Sequence, residues 1–491
     1  MAINSGSILL TFIIYLLFML GIGFFFYKRT ENLSDYVLGG RGLNSWVTAL
    51  SAQASDMSGW LLMGLPGAAY LTGIESVWIA IGLGLGTYLN WKFVAERLRK
   101  YTEIAGDSIT LSVYFENRFR DNSGILRTLS ALFILLFFLF YTSSGLVAGG
   151  KLFSTVFGIE YNLALTIGAI VIIGYTFLGG FMAVSWTDFF QGVIMFFAII
   201  IVPIGGIYNL GGISETLDKI RVINMELINP FTNIEGNFLG WISIISLFAW
   251  CFGYFGQPHI LSRFMAISSA EKIKKSRMIA MIWVVISLVM AILIGMIGRV
   301  YLAEPLADAE KVFMVMVNRL FPSYIAGIML AAILAAIMST ADSQLLVTAS
   351  ALTEDVYRAL FKRNASDKEL VWVSRLSVIG VAIVAYILAL NPESSVLDLV
   401  SYAWAGFGAA FGPVVIFSLF WKRMTRNSAI LGMLTGGITV VVWKQLSGGI
   451  FDLYEIAPGF AIASLIIVIV SLLGKEPSEE IQQEFERVGN E

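Results

Sequence analysis

Apolar runs of about twenty residues recur from end to end of this chain, separated by more polar connections, and most are long enough to cross a hydrocarbon layer about 30 Å thick. Their extents predict about thirteen membrane-spanning helices: Ile8–Tyr27, Trp46–Leu71, Ser76–Val94, Leu129–Gly149, Asn162–Leu178, Phe189–Leu210, Phe238–Pro258, Met278–Ile297, Ile325–Leu346, Val371–Leu390, Leu399–Trp421, Ser428–Trp443 and Ile456–Leu473. Met1–Ser7 carries no positive charge and Lys28-Arg29 follows the first run, so that run reads as an uncleaved span with its N-terminus outside. In this orientation most of the 32 lysines and arginines fall on the inner side, including Arg41, Arg99, Arg127, Arg263 and Lys272. The reverse orientation inverts that bias. The acidic tail Lys475–Glu491 is then cytoplasmic and too small for a kinase, ATPase or receptor domain.

Polar residues inside these runs carry the chemistry. In Trp46–Leu71 a carboxylate, Asp56, sits among Ser51, Ser55, Ser58 and Gly59. A charge at bilayer depth costs about 2.5–3.5 kcal/mol even on lenient insertion scales, so it faces a polar cavity with a partner. Small and hydroxylated neighbours let the helix unwind there and turn carbonyls toward a cation. A second interruption lies in the seventh run, where Trp250-Cys-Phe-Gly-Tyr-Phe-Gly-Gln-Pro258 places two glycines and a proline.

Five spans separate the starts of the two interrupted runs, and an odd number forces opposite orientation. The chain thus reads as residues 1–45 for a first helix and cytoplasmic loop, 46–210 and 238–421 for two inverted repeats, 422–474 for peripheral helices and 475–491 for the tail. Gly and Pro are also common in ordinary membrane helices, so each interruption weighs little without the other.

In the ninth run Ala332, Ala335, Ala336, Ser339, Thr340 and Ser343 share one helical face. Two readings fit that small, hydroxyl-bearing face: close helix packing, or hard oxygen ligands for sodium beside unwound carbonyls.

Composition closes off other classes. The chain has 491 residues, 57% hydrophobic and 13% charged, with mean hydropathy +0.80, far too apolar for a water-soluble protein. No basic arm exists for nucleic acid, and no obligatory protein partner is expected. A single cysteine, Cys251, rules out an internal disulfide, and it and the only histidine, His259, read as packing residues. No phosphate-loop motif is present, which leaves an ion gradient as the energy source.

The stretches Ser51-Ala-Gln-Ala-Ser-Asp-Met-Ser-Gly-Trp60, Gly179-Gly-Phe-Met-Ala-Val-Ser-Trp-Thr-Asp188, Gly253-Tyr-Phe-Gly-Gln-Pro-His259, Ala335-Ala-Ile-Met-Ser-Thr340 and Ser401-Tyr-Ala-Trp-Ala-Gly-Phe-Gly-Ala-Ala-Phe-Gly-Pro413 resemble, in order and from first span to last, the proline-carrying branch of the sodium:solute symporter family. The resemblance implies an all-α, LeuT-like fold of two five-helix inverted repeats with broken first helices, and sodium-driven L-proline uptake across a bacterial inner membrane. It implies no enzyme activity. It assigns a sodium site, the coupling ion being Na+, to the carbonyls of Ala54, Met57 and Ala336 and the hydroxyls of Ser339 and Thr340. Asp56 and Asp188 match carboxylates tied to cation dependence, Arg41 a functional cytoplasmic arginine near the gate, and Tyr141, Trp250, Tyr254 and Pro258 the proline pocket. Asp342 stands where relatives often have a small or hydroxyl residue, and with Asp188 and Ser343 it forms a candidate second cation or proton site. No arginine is expected at bilayer depth, so backbone N–H groups around Met57, Ser58 and Gly59 are the expected donors to the proline carboxylate, with Tyr141, Trp250 and Tyr254 over its ring and ammonium. Transport of another solute on the same fold, or a sensor or channel role, are the competing readings.

Overall fold

A computed structural model of the chain describes residues 5–27, 33–176, 180–302 and 304–490. Lys28, Arg29, Leu178 and Gly179 lie outside the described residues. The architecture is helical throughout: α1 Ser5–Tyr27, α2 Ser45–Leu62, α3 Gly64–Thr72, α4 Val77–Leu89, α5 Ile125–Phe157, α6 Tyr161–Thr176, α7 Phe181–Asn209, α8 Gly240–Phe248, α9 Pro258–Ala266, α10 Ile273–Tyr301, α11 Ser323–Ser350, α12 Asp367–Leu388, α13 Val396–Phe420, α14 Arg426–Trp443, α15 Ile456–Leu473 and α16 Glu479–Asn490. Among the described residues nine helices are long and apolar enough to cross a membrane, or ten when the pair bent by 44° around Gln257 counts as one span.

Local chemistry sets the ends. Asn44 caps α2, its side chain accepting from the N–H groups of Trp46 and Val47. The long α5 runs from Gly124 to Gly158, both left-handed, and glycine adopts that conformation at no steric cost. Pro258 occupies the first turn of α9, where its missing N–H costs nothing.

Both interrupted runs are broken. The first breaks at Ser58 (φ 31°, ψ −168°) and again before Gly64. In the second, Ala249–Gly256 forms a 3-10 segment between α8 and α9. The two breaks lie inside the bundle, with α2 packed on α7, α10 and α11, and the 3-10 segment packed on α4 and α13.

Two expectations change, and further helices appear outside the spans. The sixth span begins at Phe181 rather than Phe189, which carries Asp188 into a helix. The seventh does not stop at Pro258: α9 continues to Ala266 and takes Arg263 inward. The connections contain the helices Leu33–Leu38, Leu111–Arg118, Ile213–Ile223 and Val312–Leu320. The tail forms α16, whose Glu484 and Glu486 pair with Arg120 and Lys422.

Candidate functional site

The hydroxyl pair of α11 meets the broken α2. Ser339 Oγ donates to the Ala54 carbonyl at 2.8 Å and to the Ala336 carbonyl at 3.2 Å, and Thr340 Oγ1 approaches the Ala54 carbonyl at 3.4 Å. All four residues are buried. Carbonyl and hydroxyl oxygens are the hard ligands a sodium ion requires, so the donor set fits that ion. Met57 is buried in the turn ahead of the break, but the hydroxyl pair bonds Ala54 and Ala336 rather than Met57.

The break is a strained feature. Ser58 is a non-glycine residue with positive φ, held where it is 2% exposed; such conformations cost about 1–3 kcal/mol and persist only where the surroundings impose them. Tyr141 on α5 imposes part of it, donating its hydroxyl to the Asp56 carbonyl at 3.0 Å. Tyr254, from the 3-10 segment, donates to Asp56 Oδ2 at 2.8 Å. Asp56 Oδ1 has no hydrogen-bond partner among the described residues. Gly59 is needed for close approach: a Cβ there would lie 3.1 Å from the Ala148 Cβ and 3.4 Å from Ile337 Cγ1.

Around this point the rings converge. Trp250 lies 6.0 Å from Trp60 and 6.3 Å from Trp404, and Tyr254 meets Trp404 edge-on at 5.0 Å. Trp404 Nε1 donates to the Trp250 carbonyl at 2.8 Å and Gln257 Nε2 to the Gly253 and Trp404 carbonyls, so α13 braces the 3-10 segment. Asn90 Nδ2 donates to the Tyr254 carbonyl from the other side. Pro258 is not in this ring group; it lines a cavity nearer the basic loops with Ile134, Ser262 and Met265. Tyr141, Trp250 and Tyr254 are each buried.

Arg263 corrects the expectation that no arginine reaches this depth. Fully buried, it donates from Nη2 to Asp188 Oδ2 at 3.1 Å and to Ser343 Oγ, from Nε to Ser51 Oγ at 3.1 Å, and from Nη1 to the His259 carbonyl at 2.9 Å. Ser51 donates to the same Asp188 oxygen at 2.7 Å. Two members of the candidate second cation site, Asp188 and Ser343, thus bind the Arg263 guanidinium. Asp342 is fully buried beside them, and neither of its oxygens has a hydrogen-bond partner among the described residues.

Arg263 escapes sequence reasoning because an apolar run that meets a proline reads as the end of a span. The signal was the heptapeptide Ile260-Leu-Ser-Arg-Phe-Met-Ala266, apolar but for the arginine and a serine. Arg41 lies at the basic face, where it binds Asp107 at 2.9 Å, the Met265 carbonyl at 2.6 Å and the Ser108 carbonyl at 3.1 Å. It therefore ties the end of α9 to the loop following Ala95–Ile104.

Comparison with known proteins agrees with this architecture. The sequence model of the Sodium:solute symporter family matches residues 36–436. The chain is 53% identical over 488 residues to a sodium/proline symporter of Escherichia coli, covering 98% of this chain and 96% of that one. It is 53% identical over 473 residues to the high-affinity proline transporter PutP of Bacillus subtilis, covering 95% and 98%. The structure of a Na+-coupled sialic acid symporter, in a substrate-bound outward-open state, superposes with TM-score 0.80 at 22% identity over 96% of this chain and 99% of that one, which places the two in the same LeuT-like fold. The chain is a polytopic membrane transporter and belongs to the sodium:solute symporter family.

Proposed function

We propose that this protein is a secondary transporter, not an enzyme, that couples inward movement of sodium to uptake of L-proline by alternating access. The observation that carries the reading is the meeting of Ser339 and Thr340 with the Ala54 carbonyl beside a helix break where Tyr141 and Tyr254 hydrogen-bond Asp56 and Trp250 neighbours Trp60. A hard-oxygen cation site therefore lies beside a cluster of aromatic rings, the chemistry that receives a compact zwitterion with an apolar ring. Near-full-length relatives at about half identity bear the names of proline transporters, which supports proline as the solute.

In this reading sodium binds Ala54, Met57, Ala336, Ser339 and Thr340 and stabilises the unwound helix, with Asp56 supplying negative field. Freed N–H groups at Met57, Ser58 and Gly59 hold the proline carboxylate, as helix N-termini hold anions. The rings of Tyr141, Trp250 and Tyr254 face its ring and secondary ammonium. Residues 46–210 and 238–421 are the inverted repeats, and rocking of one against the other opens the site to each face in turn. The basic face is cytoplasmic, the N-terminus lies outside, and the membrane is the bacterial inner membrane.

One sodium with a neutral zwitterion carries one charge inward. At 100 mV the potential contributes about 2.3 kcal/mol and a tenfold sodium gradient about 1.4 kcal/mol. Together they sustain a proline ratio of several hundredfold, on the order of 500. Radiolabelled proline uptake into proteoliposomes, with sodium gradient and potential imposed separately, tests this. Each force alone should drive accumulation, and both should add. Uptake indifferent to both, or a sugar or organic acid that competes better than proline, would refute the assignment.

A further inference from the structure

The only histidine of the chain occupies an unusual position. His259 is fully buried one residue into α9, and neither ring nitrogen has a hydrogen-bond partner among the described residues. Its ring packs edge-on against Phe138 at 5.6 Å and Tyr141 at 5.9 Å, both on α5 and one turn apart. A packing role accounts for those contacts. It does not account for a buried imidazole with an unanswered donor and an unanswered acceptor, which costs more than an apolar ring of the same shape.

The surroundings of the ring give it a use. On one side, Tyr141 donates its hydroxyl to the Asp56 carbonyl at the broken helix, so that side is the solute pocket of the proposed function. On the other side, Ile134, one turn from Phe138 on α5, and Ser262, one turn from His259 on α9, line with Pro258 and Met265 a narrow cavity of about 30 Å³. That cavity reaches Thr110 and Asp355 at the basic face. Phe138, Tyr141 and His259 thus form a ring layer one helical turn from the Ile134 and Ser262 lining of that cavity. Two of its members are hydrocarbon rings or are already hydrogen-bonded, and only His259 brings free polar atoms to it.

We propose that His259 is a substrate-contact residue of the inward release path, whose N–H donates to the carboxylate of proline as the solute crosses from the Asp56 pocket to the basic-side cavity. The Tyr141 hydroxyl is already given to the Asp56 carbonyl, so the His259 N–H is the one donor of this ring layer without a partner. A neutral imidazole supplies one there without holding the anion as a fixed charge would. The inference rests on the transport reading and adds to it one residue that acts in release, not in the initial bound state.

The test separates binding from release. Purified parent, His259→Phe and His259→Asn proteins are compared for sodium-dependent binding of labelled proline and, after reconstitution, for initial uptake rate and for proline exchange. Phenylalanine keeps the ring and removes both nitrogens, whereas asparagine keeps a donor and an acceptor. The expected result for His259→Phe is binding within about twofold of parent and uptake and exchange slowed on the order of tenfold, the cost of one lost hydrogen bond to a charged group. His259→Asn should recover a substantial part of the rate. Parent-like uptake in His259→Phe overturns the proposal, as does loss of binding in His259→Phe that His259→Asn shares, which would make the residue structural. Absence of sodium-dependent proline binding in the parent itself would instead overturn the functional reading beneath it.

Discussion

Breaking the buried pair between Arg263 and Asp188 should damage the protein unequally from its two ends. Both side chains are fully buried, and Arg263 is the cation that Asp188 and Asp342 both face. Arg263→Leu removes it, leaving two carboxylates with only the Ser51 hydroxyl donating to one of them. Loss of one partner of a buried pair costs about 3–5 kcal/mol, and the second carboxylate puts this substitution at the upper end. Asp188→Asn is milder. Its amide oxygen still accepts from Ser51 and Arg263, and Asp342 remains as counter-charge, so a cost of about 1–3 kcal/mol is expected. The double variant removes one of the stranded charges, so its cost should fall about 2 kcal/mol short of the sum of the two single costs, a favourable coupling. Unfolding of the purified protein in detergent, followed by tryptophan fluorescence, measures all four states. Additive costs with coupling below about 0.5 kcal/mol, or Asp188→Asn proving the more harmful single change, would refute the description of Arg263 as the charge that holds this cluster.

Three further outcomes follow from the geometry. Ser339→Ala and Thr340→Ala should each raise the sodium concentration for half-maximal uptake, and cysteine at either position should perform poorly because thiols are soft ligands; unchanged sodium activation would leave the face a packing surface. Trp250→Ala and Tyr254→Ala should weaken proline binding more than sodium binding measured without proline, as paired titrations of both ligands would show. At the basic face, burial pushes the Asp121 carboxyl up, but hydrogen bonds from Ser123, from the Leu126 and Ser123 N–H groups and from Arg426 outweigh it and hold it below the ordinary carboxylate range. That stabilisation is present above the unfolded-state pKa of about 3.9 and is lost as pH falls through the lower folded value. Asp121→Asn should therefore lower the unfolding temperature at pH 7, and the gap to parent should close as pH falls toward 3; a gap independent of pH would count against it.

Most of the helical frame was legible in the sequence because membrane burial writes itself as long apolar runs. Asp56, the glycines beside Tyr254 and the Ser339–Thr340 face were legible for a related reason, since polar or flexible residues at bilayer depth need a use. What stayed hidden lies where sequence pattern and three-dimensional depth part company. Proline at position 258 looks like a stop but serves as the first turn of a new helix, so Arg263 was read as a loop charge. Asp188 stood just before an apolar run and was placed at a span end, whereas α7 begins at Phe181. Asn90 gives no signal of its own; its role comes from a partner far along the chain, the Tyr254 carbonyl. The amphipathic helices Ile213–Ile223 and Glu479–Asn490 are too polar for a hydropathy criterion and take their order from docking.

The central claim is that the charge at the broken helix couples sodium to solute, and Asp56→Asn tests it most directly. The amide oxygen keeps the acceptor that Tyr254 Oη uses at 2.8 Å, so the geometry of the break survives while the charge is removed. Proline binding to the purified parent and to this variant is measured across a sodium titration, with Asp56→Glu as a charge-retaining control. The account predicts that Asp56→Asn stays folded but loses most sodium-stimulated proline binding, and that Asp56→Glu retains some at elevated sodium. Near-normal sodium dependence in Asp56→Asn would contradict it.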